Sequence, residues 1–307
     1  MRILLAETIH PAAEARLAAA AEVVRAPAGD PDALATLVGA CDGLVARTHT
    51  RVTRAVLAAG RRLRVVGVAG VGLEHVDLAA AAELGIRVLS TPGAATDAVA
   101  DYAVGLMLQL LRPFPRLAAE YRAGRFHAAR AAPHGRELGE LAVGIVGMGR
   151  IGSAVGRRLA AGFGARVLYN DIVPVGPFPF AAEAVDKATL WAESDIVTLH
   201  VPLTAETRGL VGAEVLGRLR RGALLINTAR GAVVDTAALV DALRAGHLGG
   251  AALDVVEPEP LPVGHPLFAL ENCVVLPHAA ARTERGWERM CAVVDEVIAD
   301  LRALGVS

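Results

Sequence analysis

Residues 143–152 read Val-Gly-Ile-Val-Gly-Met-Gly-Arg-Ile-Gly, and Asp171 stands nineteen positions beyond the last glycine. The apolar run from Val143 to Val146 enters a turn at Gly147, Gly149 and Gly152, and a helical stretch from Ile151 to Phe163 leaves it. Each glycine has a separate role. Gly147 permits a tight strand-to-helix turn, Gly149 lets backbone approach a pyrophosphate, and Gly152 allows the helix to pack closely on the strand. The helix start, at Arg150 and Ile151, offers unpaired N–H groups and a positive dipole end to phosphates. A second apolar run, Arg166 to Tyr169, precedes Asp171 and puts that carboxylate at the end of the next strand. There it can accept hydrogen bonds from an adenosine ribose, whereas a 2′-phosphate would meet like charge. The expected cofactor is therefore NAD (NADH), with NADP disfavoured by Asp171.

Outward from this stretch, short β-rich runs alternate with alanine-rich helical stretches, the pattern of parallel α/β sheets. In the first third, strands are expected near Arg2–Ala6, Glu22–Arg25, Gly43–Ala46, Arg64–Ala69 and Arg87–Leu89. Helices such as Pro11–Ala21 and Pro31–Ala40 fall between them. From Val143 the alternation restarts, with strands near Val143–Val146, Arg166–Tyr169, Ile196–His200, Ala223–Asn227, Ala251–Asp254 and Val274–Leu276. The restart implies two doubly wound parallel-sheet α/β domains. One is a central Rossmann NAD-binding domain, residues 96–281. The other is a flavodoxin-like substrate domain formed by residues 1–95 together with the C-terminal helix, in 282–307. That helix, Glu284 to Leu304, is expected to return to the first unit, leaving a cleft where ligands of such folds bind. Residues 173–180 hold three prolines and are expected to form a rigid irregular loop.

Composition narrows the function classes. At 307 residues the chain suits two domains, and 54% hydrophobic with 21% charged residues excludes a largely disordered one. A net charge of −1 implies no general attraction to nucleic acid or anionic membrane. The longest apolar stretch, Ala103–Leu111, is too short to span a bilayer, and Met1–Ala6 meets Glu7 too early for a signal-peptide core. Cys41, Cys273 and Cys291 form no CxxC pair, so reduced thiols in a cytoplasmic protein are expected, and no metal site.

Three further segments follow successive strands. Asn227-Thr228-Ala229-Arg230-Gly231, then Asp254 through Glu259 and Pro260, then Leu276-Pro277-His278 would deliver an arginine, a carboxylate and a histidine to one crevice. A histidine can give or take the proton that a carbonyl/alcohol interconversion needs. A neighbouring carboxylate orients its ring, and a guanidinium can hold a substrate carboxylate. Taken singly, each of the three reads as an ordinary turn, core or strand-end residue; together, after a complete fingerprint, they read as a catalytic set. Among the other histidines, His10, His127, His134, His247 and His265 read as surface or loop residues, and His200 as structural. No GxSxG nucleophile elbow occurs.

From about Val45 to Thr283 the chain resembles the D-isomer-specific 2-hydroxyacid dehydrogenases, the family of D-3-phosphoglycerate, glyoxylate/hydroxypyruvate and D-lactate dehydrogenases. The resemblance implies a catalytic set of Arg230, Glu259 and His278, with His278 as acid/base and Glu259 as its partner. It also implies that Thr228, Ala229, Arg230, Asp254, His278 and Ala281 lie against the nicotinamide side of the cofactor. Arg150 and Ile151 fall at the pyrophosphate, and His200, Pro202 and Thr204 in the loop under adenine and ribose. For the substrate, a small 2-oxo or 2-hydroxy acid, the resemblance points to the amides near Val71 and Gly72, to Arg230, and to the loop carrying Arg47 and His49. Arg47 keeps two readings, a contact to an anionic group at the substrate's far end or a packed structural residue. A homodimer through Ala98–Leu111 and Phe114–Phe126 is also implied, against the alternative that this helix packs within its own chain.

Several positions depart from the family pattern. His75 stands for asparagine, Asp97 falls where an asparagine is common, Asp101 stands for glutamate, Phe126 for tryptophan, and Ala281 lies where glycine is frequent; all bear on substrate identity. Other readings of the same fold are a formate- or phosphite-type dehydrogenase or an NAD-sensing corepressor. Formate-type members pair the histidine with glutamine, so Glu259 speaks against them. Phosphite-type members place a lysine near the substrate loop, and Lys187, the sole lysine, is remote from it. A corepressor would be expected to carry a recruiting tail, which is not expected here.

Overall fold

Runs of four or five aliphatic residues become strands buried on both faces, because helices cover both sides of each parallel sheet. The computed structural model describes residues 1–27, 30–131 and 133–306. It divides into two units, Met1–Ala95 with Ala281–Ser307, and Thr96–Ala280. The first unit opens with β1 (Arg2–Leu5), α1 (Pro11–Ala20), β2 (Glu22–Arg25), α2 (Pro31–Val38) and β3 (Gly43–Ala46). It continues with α3 (Arg54–Ala59), β4 (Val65–Val68), α4 (Leu78–Glu83) and β5 (Arg87–Ser90). The sheet is parallel throughout, in the order β2-β1-β3-β4-β5, which is flavodoxin-like.

The second unit begins with α5 (Thr96–Leu111), α6 (Phe114–Arg122) and α7 (Phe126–Arg130), and its sheet then starts at β6 (Ala142–Val146). From there run α8 (Arg150–Arg158), β7 (Arg166–Asn170), β8 (Glu183–Ala184), α9 (Lys187–Glu193) and β9 (Ile196–Leu199). The last part holds α10 (Ala213–Arg218), β10 (Leu224–Asn227), α11 (Thr236–Arg244), β11 (Gly250–Leu253) and β12 (Cys273–Val275). All pairings are parallel, in the order β12-β11-β10-β9-β6-β7-β8. This is the doubly wound Rossmann order with one strand added, and the order reverses between β6 and β9, where such folds bind ligands. The chain then returns to the first unit as α12 (Glu284–Cys291) and α13 (Val293–Ala303).

Packing follows the hydrophobic periodicity. Val293, Val294, Val297, Ile298 and Leu301 of α13 are buried against Ile3, Leu5, Val45 and Val65 of the first sheet. In the second unit, Val143 and Ile145 of β6 meet Val155 of α8 and Ala103 and Met107 of α5. Side-chain caps set the helix starts: Asp186 accepts from Thr189 N, Asp235 from Ala237 and Ala238 N, and Thr283 from Gly286 N.

Three local expectations are corrected. The helix expected over Ile151–Phe163 is regular only to Arg158 and widens into a π-type turn over Leu159–Phe163, closed by Gly164 at φ 69°. The helix expected over Glu284–Leu304 breaks at Ala292, where the backbone bonds tighten to three-residue spacing, Ala292 N to Arg289 O and Asp295 N to Ala292 O. The two-residue strand β8 has no apolar run to announce it. Residues 173–180 are irregular as expected. Among the described residues, no helix is long and apolar enough to cross a membrane.

Candidate active site

Gly147 adopts φ 90°, and a Cβ there would stand 2.6 Å from the His200 carbonyl oxygen. At Gly152 a Cβ would come within 2.0 Å of the Gly147 carbonyl oxygen, so only glycine lets α8 close on the turn. At Gly149 the reverse holds: nothing lies within 4 Å of a Cβ position, and the backbone is exposed. Gly149 caps α8 without a side-chain hydrogen bond, which leaves the first-turn amides, from Arg150 and Ile151 onward, open to an anion. The Asp171 carboxylate closes the turn from β7. Its Oδ2 accepts from Met148 N at 2.7 Å and its Oδ1 from Val173 N at 3.2 Å. Asp171 thus shapes the glycine turn as well as standing beside it.

Across the reversal, β9 ends at Leu199 and His200 follows. The His200 ring Nε2 lies 2.9 Å from Thr198 Oγ1, while Nδ1 is buried without a partner among the described residues. Burial pushes the imidazole down to about 3, so it is neutral. Pro202 and Thr204 are exposed in the following loop. Thr207, which sequence reasoning overlooked, holds that loop: its Oγ1 donates to Pro202 O at 2.6 Å and accepts from Thr204 N at 2.8 Å. The Thr-Ala-Glu-Thr run was the available signal. Thr228 Oγ1 is a second buried oxygen without a partner among the described residues. An open anion cradle and two orphaned buried polar atoms at one sheet edge fit a dinucleotide's phosphates and hydroxyl-rich sugars.

The catalytic candidates follow strands whose ends are level. Asn227 of β10 pairs with Leu253 of β11, and Leu253 with Val275 of β12, so the segments carrying Arg230, Asp254 and His278 leave the sheet side by side. Buried Asn227 shapes the first segment, accepting from Ala229 N at 3.0 Å and donating to Arg230 O at 2.9 Å. The Arg230 guanidinium donates to Ala229 O at 2.7 Å. Asp254 is 1% exposed. Its two carboxylate oxygens accept from Ala279 N and Ala280 N, each at 2.8 Å, and its carbonyl accepts from His278 N at 2.8 Å.

His278 takes φ 54°, the left-handed region that an L side chain rarely enters, and these three bonds hold it there. Its Nδ1 lies 2.7 Å from Glu259 Oε1, and both side chains are 39% exposed. Nδ1 is therefore committed to the carboxylate, and Nε2 is the nitrogen free for chemistry.

The substrate-side candidates belong to the first unit. Arg47 and His49 line a cavity of about 500 Å³ with Glu7, Thr8 and Asp30. Glu7 Oε1 accepts from Arg47 N and Thr50 N, each at 2.9 Å, and so fixes the loop after β3. Val71 is 40% exposed and Gly72 half-buried. Ala281, expected with the cofactor set, falls in the first unit. Two of the remaining histidines are more than surface residues. His10 caps α1 by accepting from Ala12 N, with Nε2 2.9 Å from Glu284, and His265 accepts from Leu267 N. Among the described residues no group of three or more His, Cys, Asp or Glu could hold a metal ion.

Residues 104–280 match the family model described as D-isomer specific 2-hydroxyacid dehydrogenase, NAD binding domain. The chain is 42% identical over 260 residues to a glyoxylate reductase of Korarchaeum cryptofilum, covering 83% of this chain and 78% of that one. To a hydroxypyruvate reductase of Thermotoga maritima it is 36% identical over 276 residues, 89% of each chain. Among solved structures, the TT0316 protein of Thermus thermophilus superimposes with a TM-score of 0.91 at 42% identity, covering 99% of this chain and 97% of that one. The family model spans more than half of the chain and the two reductases extend the agreement over most of the rest, so this protein belongs to the D-isomer specific 2-hydroxyacid dehydrogenase family and is an NAD-dependent oxidoreductase.

Proposed function

We propose that the protein reduces a small 2-oxo acid, of the size of glyoxylate or hydroxypyruvate, to the 2-hydroxy acid of D configuration, and catalyses the reverse oxidation. The observation that carries this reading is the 2.7 Å contact between Glu259 and His278 on a turn held in the left-handed region. With Nδ1–H donating to the carboxylate, the imidazolium presents Nε2–H to a carbonyl oxygen and recovers the proton in the opposite direction. Glu259 favours the charged ring and fixes its orientation. Arg230 is assigned to the substrate carboxylate, which a guanidinium can bind through two parallel hydrogen bonds. The glycine turn, Arg150, Ile151, Asp171, the 200–204 loop and Thr228 would hold the dinucleotide, which supplies or accepts the hydride. Asp171 disfavours a 2′-phosphate, and NADH is accordingly preferred to NADPH.

The same reading makes the protein a cytoplasmic homodimer. Its three cysteines are free thiols, and Phe114, Tyr121 and Phe126 of α6 and α7 form an exposed aromatic patch in which Tyr121 and Phe126 touch.

The experiment that tests the reading is His278→Ala, assayed with glyoxylate and hydroxypyruvate against NADH and NADPH. Turnover should fall by about 10²- to 10⁴-fold while NADH binding changes little, and the wild type should use NADPH poorly. Near wild-type turnover in His278→Ala would reject the assignment.

A further inference from the structure

We propose that the Tyr102 hydroxyl is a positioning group for His278, acting through the Asp254 carboxylate. The inference rests on the reading of His278 as the proton donor and adds a residue from a distant part of the chain to its support. A buried carboxylate is tolerated only when its acceptor sites are engaged. Asp254 engages two of them with the Ala279 and Ala280 amides, which hold the turn bearing the strained His278. The Tyr102 hydroxyl, on α5, lies within hydrogen-bonding reach of the same carboxylate. It comes from a helix anchored in the core of its unit by Ala100, Ala103 and Met107. The Asp254 side chain is thereby tied to a rigid element as well as to the turn it restrains. Burial, and then the neighbouring Asp254, push the phenol up to about 12, so the group remains a protonated donor at every pH at which the enzyme works.

The connection runs from Tyr102 to Asp254, from Asp254 to the amides of Ala279 and Ala280, and from that turn to the ring that meets Glu259. Tyr102 touches no reacting atom in this account. Its effect is on where the imidazole stands, and displacements of an ångström or less at a reacting group cost rate without costing binding.

Tyr102→Phe removes one oxygen and keeps the ring. In the intact protein, kcat for 2-oxo acid reduction should fall about tenfold, while KM for the acid and the NADH dissociation constant move less than about twofold. Amide hydrogen exchange over residues 277–281 should accelerate with the rest of the second unit unchanged. Combined with Asp254→Asn, the loss should be no greater than for Asp254→Asn alone, because the two side chains act as one unit.

Wild-type kcat with unchanged exchange, additive losses, or general unfolding of Tyr102→Phe would each overturn the inference, the last by making the hydroxyl a stability group. His278→Ala, run in parallel, separates the two readings. If it keeps full turnover, the acid/base assignment fails while the exchange result still reports on the link. If it is inactive and Tyr102→Phe is normal, the link alone fails.

Discussion

Glu259, between Pro258 and Pro260, would be an ordinary turn carboxylate without a partner, and its 2.7 Å contact with His278 Nδ1 is what gives it a chemical role. Replacing it by glutamine keeps the shape and removes the anion beside the ring. Because reduction needs the protonated ring, and an adjacent negative charge favours that form, the alkaline limb of the kcat–pH profile in the reduction direction should move to lower pH in Glu259→Gln. A profile superimposable on the wild type would remove Glu259 from this role. At this scale, legibility in the sequence depended on distance along the chain. The glycine turn, its acid and the three strand-end segments are local patterns with a fixed spacing. Tyr102 beneath Asp254, Glu284 on His10 and Glu7 under the Arg47 loop are 152, 274 and 40 positions or more from their partners, and no local pattern announces such pairs.

Among the elements, the end of β9 makes the clearest prediction. His200 is neutral in the folded protein, pushed down to about 3 by burial, whereas in the unfolded chain it has its ordinary value of 6.5. Between these values the unfolded state binds the extra proton, so folding stability is complete above about pH 6.5 and declines as pH falls below it. From pH 7 to pH 5 this group alone should cost roughly 2 kcal/mol. Urea melts at the two pH values should show that loss in the wild type and a smaller one in His200→Asn, and equal losses in the two proteins would exclude this origin. Element positions were legible from hydrophobic period and from Gly and Pro punctuation, which placed the long-run strands within a residue or two. The same signals are silent where geometry changes without them. The widened turn after Arg158 and the break at Ala292 lie in helix-favouring sequence, and β8 is a two-residue edge pairing.

For the whole molecule, the restart of strand–helix alternation at Val143 sufficed to read two parallel sheets, since each needs its own set of covering helices. Packing of α13 was less legible, because an aliphatic stripe states that a face is buried and not which sheet buries it. Val293, Val294, Val297, Ile298 and Leu301 contribute five buried aliphatic side chains to the first unit. At about 1.5–3 kcal/mol for each such side chain, an upper estimate, their joint contribution rivals the whole stability of an ordinary domain. Deleting residues 293–307 should therefore abolish folding of the first unit and leave the second intact. Calorimetry should show a single transition retaining the second unit's enthalpy, and limited proteolysis should leave a protected fragment close to residues 96–280. Survival of the first sheet in that variant would show that α13 is dispensable.

The order in which the chain is read adds a consequence for biogenesis. Strands β1–β5 leave the ribosome first, yet the helix that covers Ile3, Leu5, Val45 and Val65 is translated last, after every residue of Thr96–Ala280. The later-born nucleotide unit is contiguous and can complete its core during synthesis, while the earlier-born sheet waits with a valine-rich face bare. Nascent chains stalled before residue 293 should accordingly be the species that chaperones hold and that aggregate at high expression.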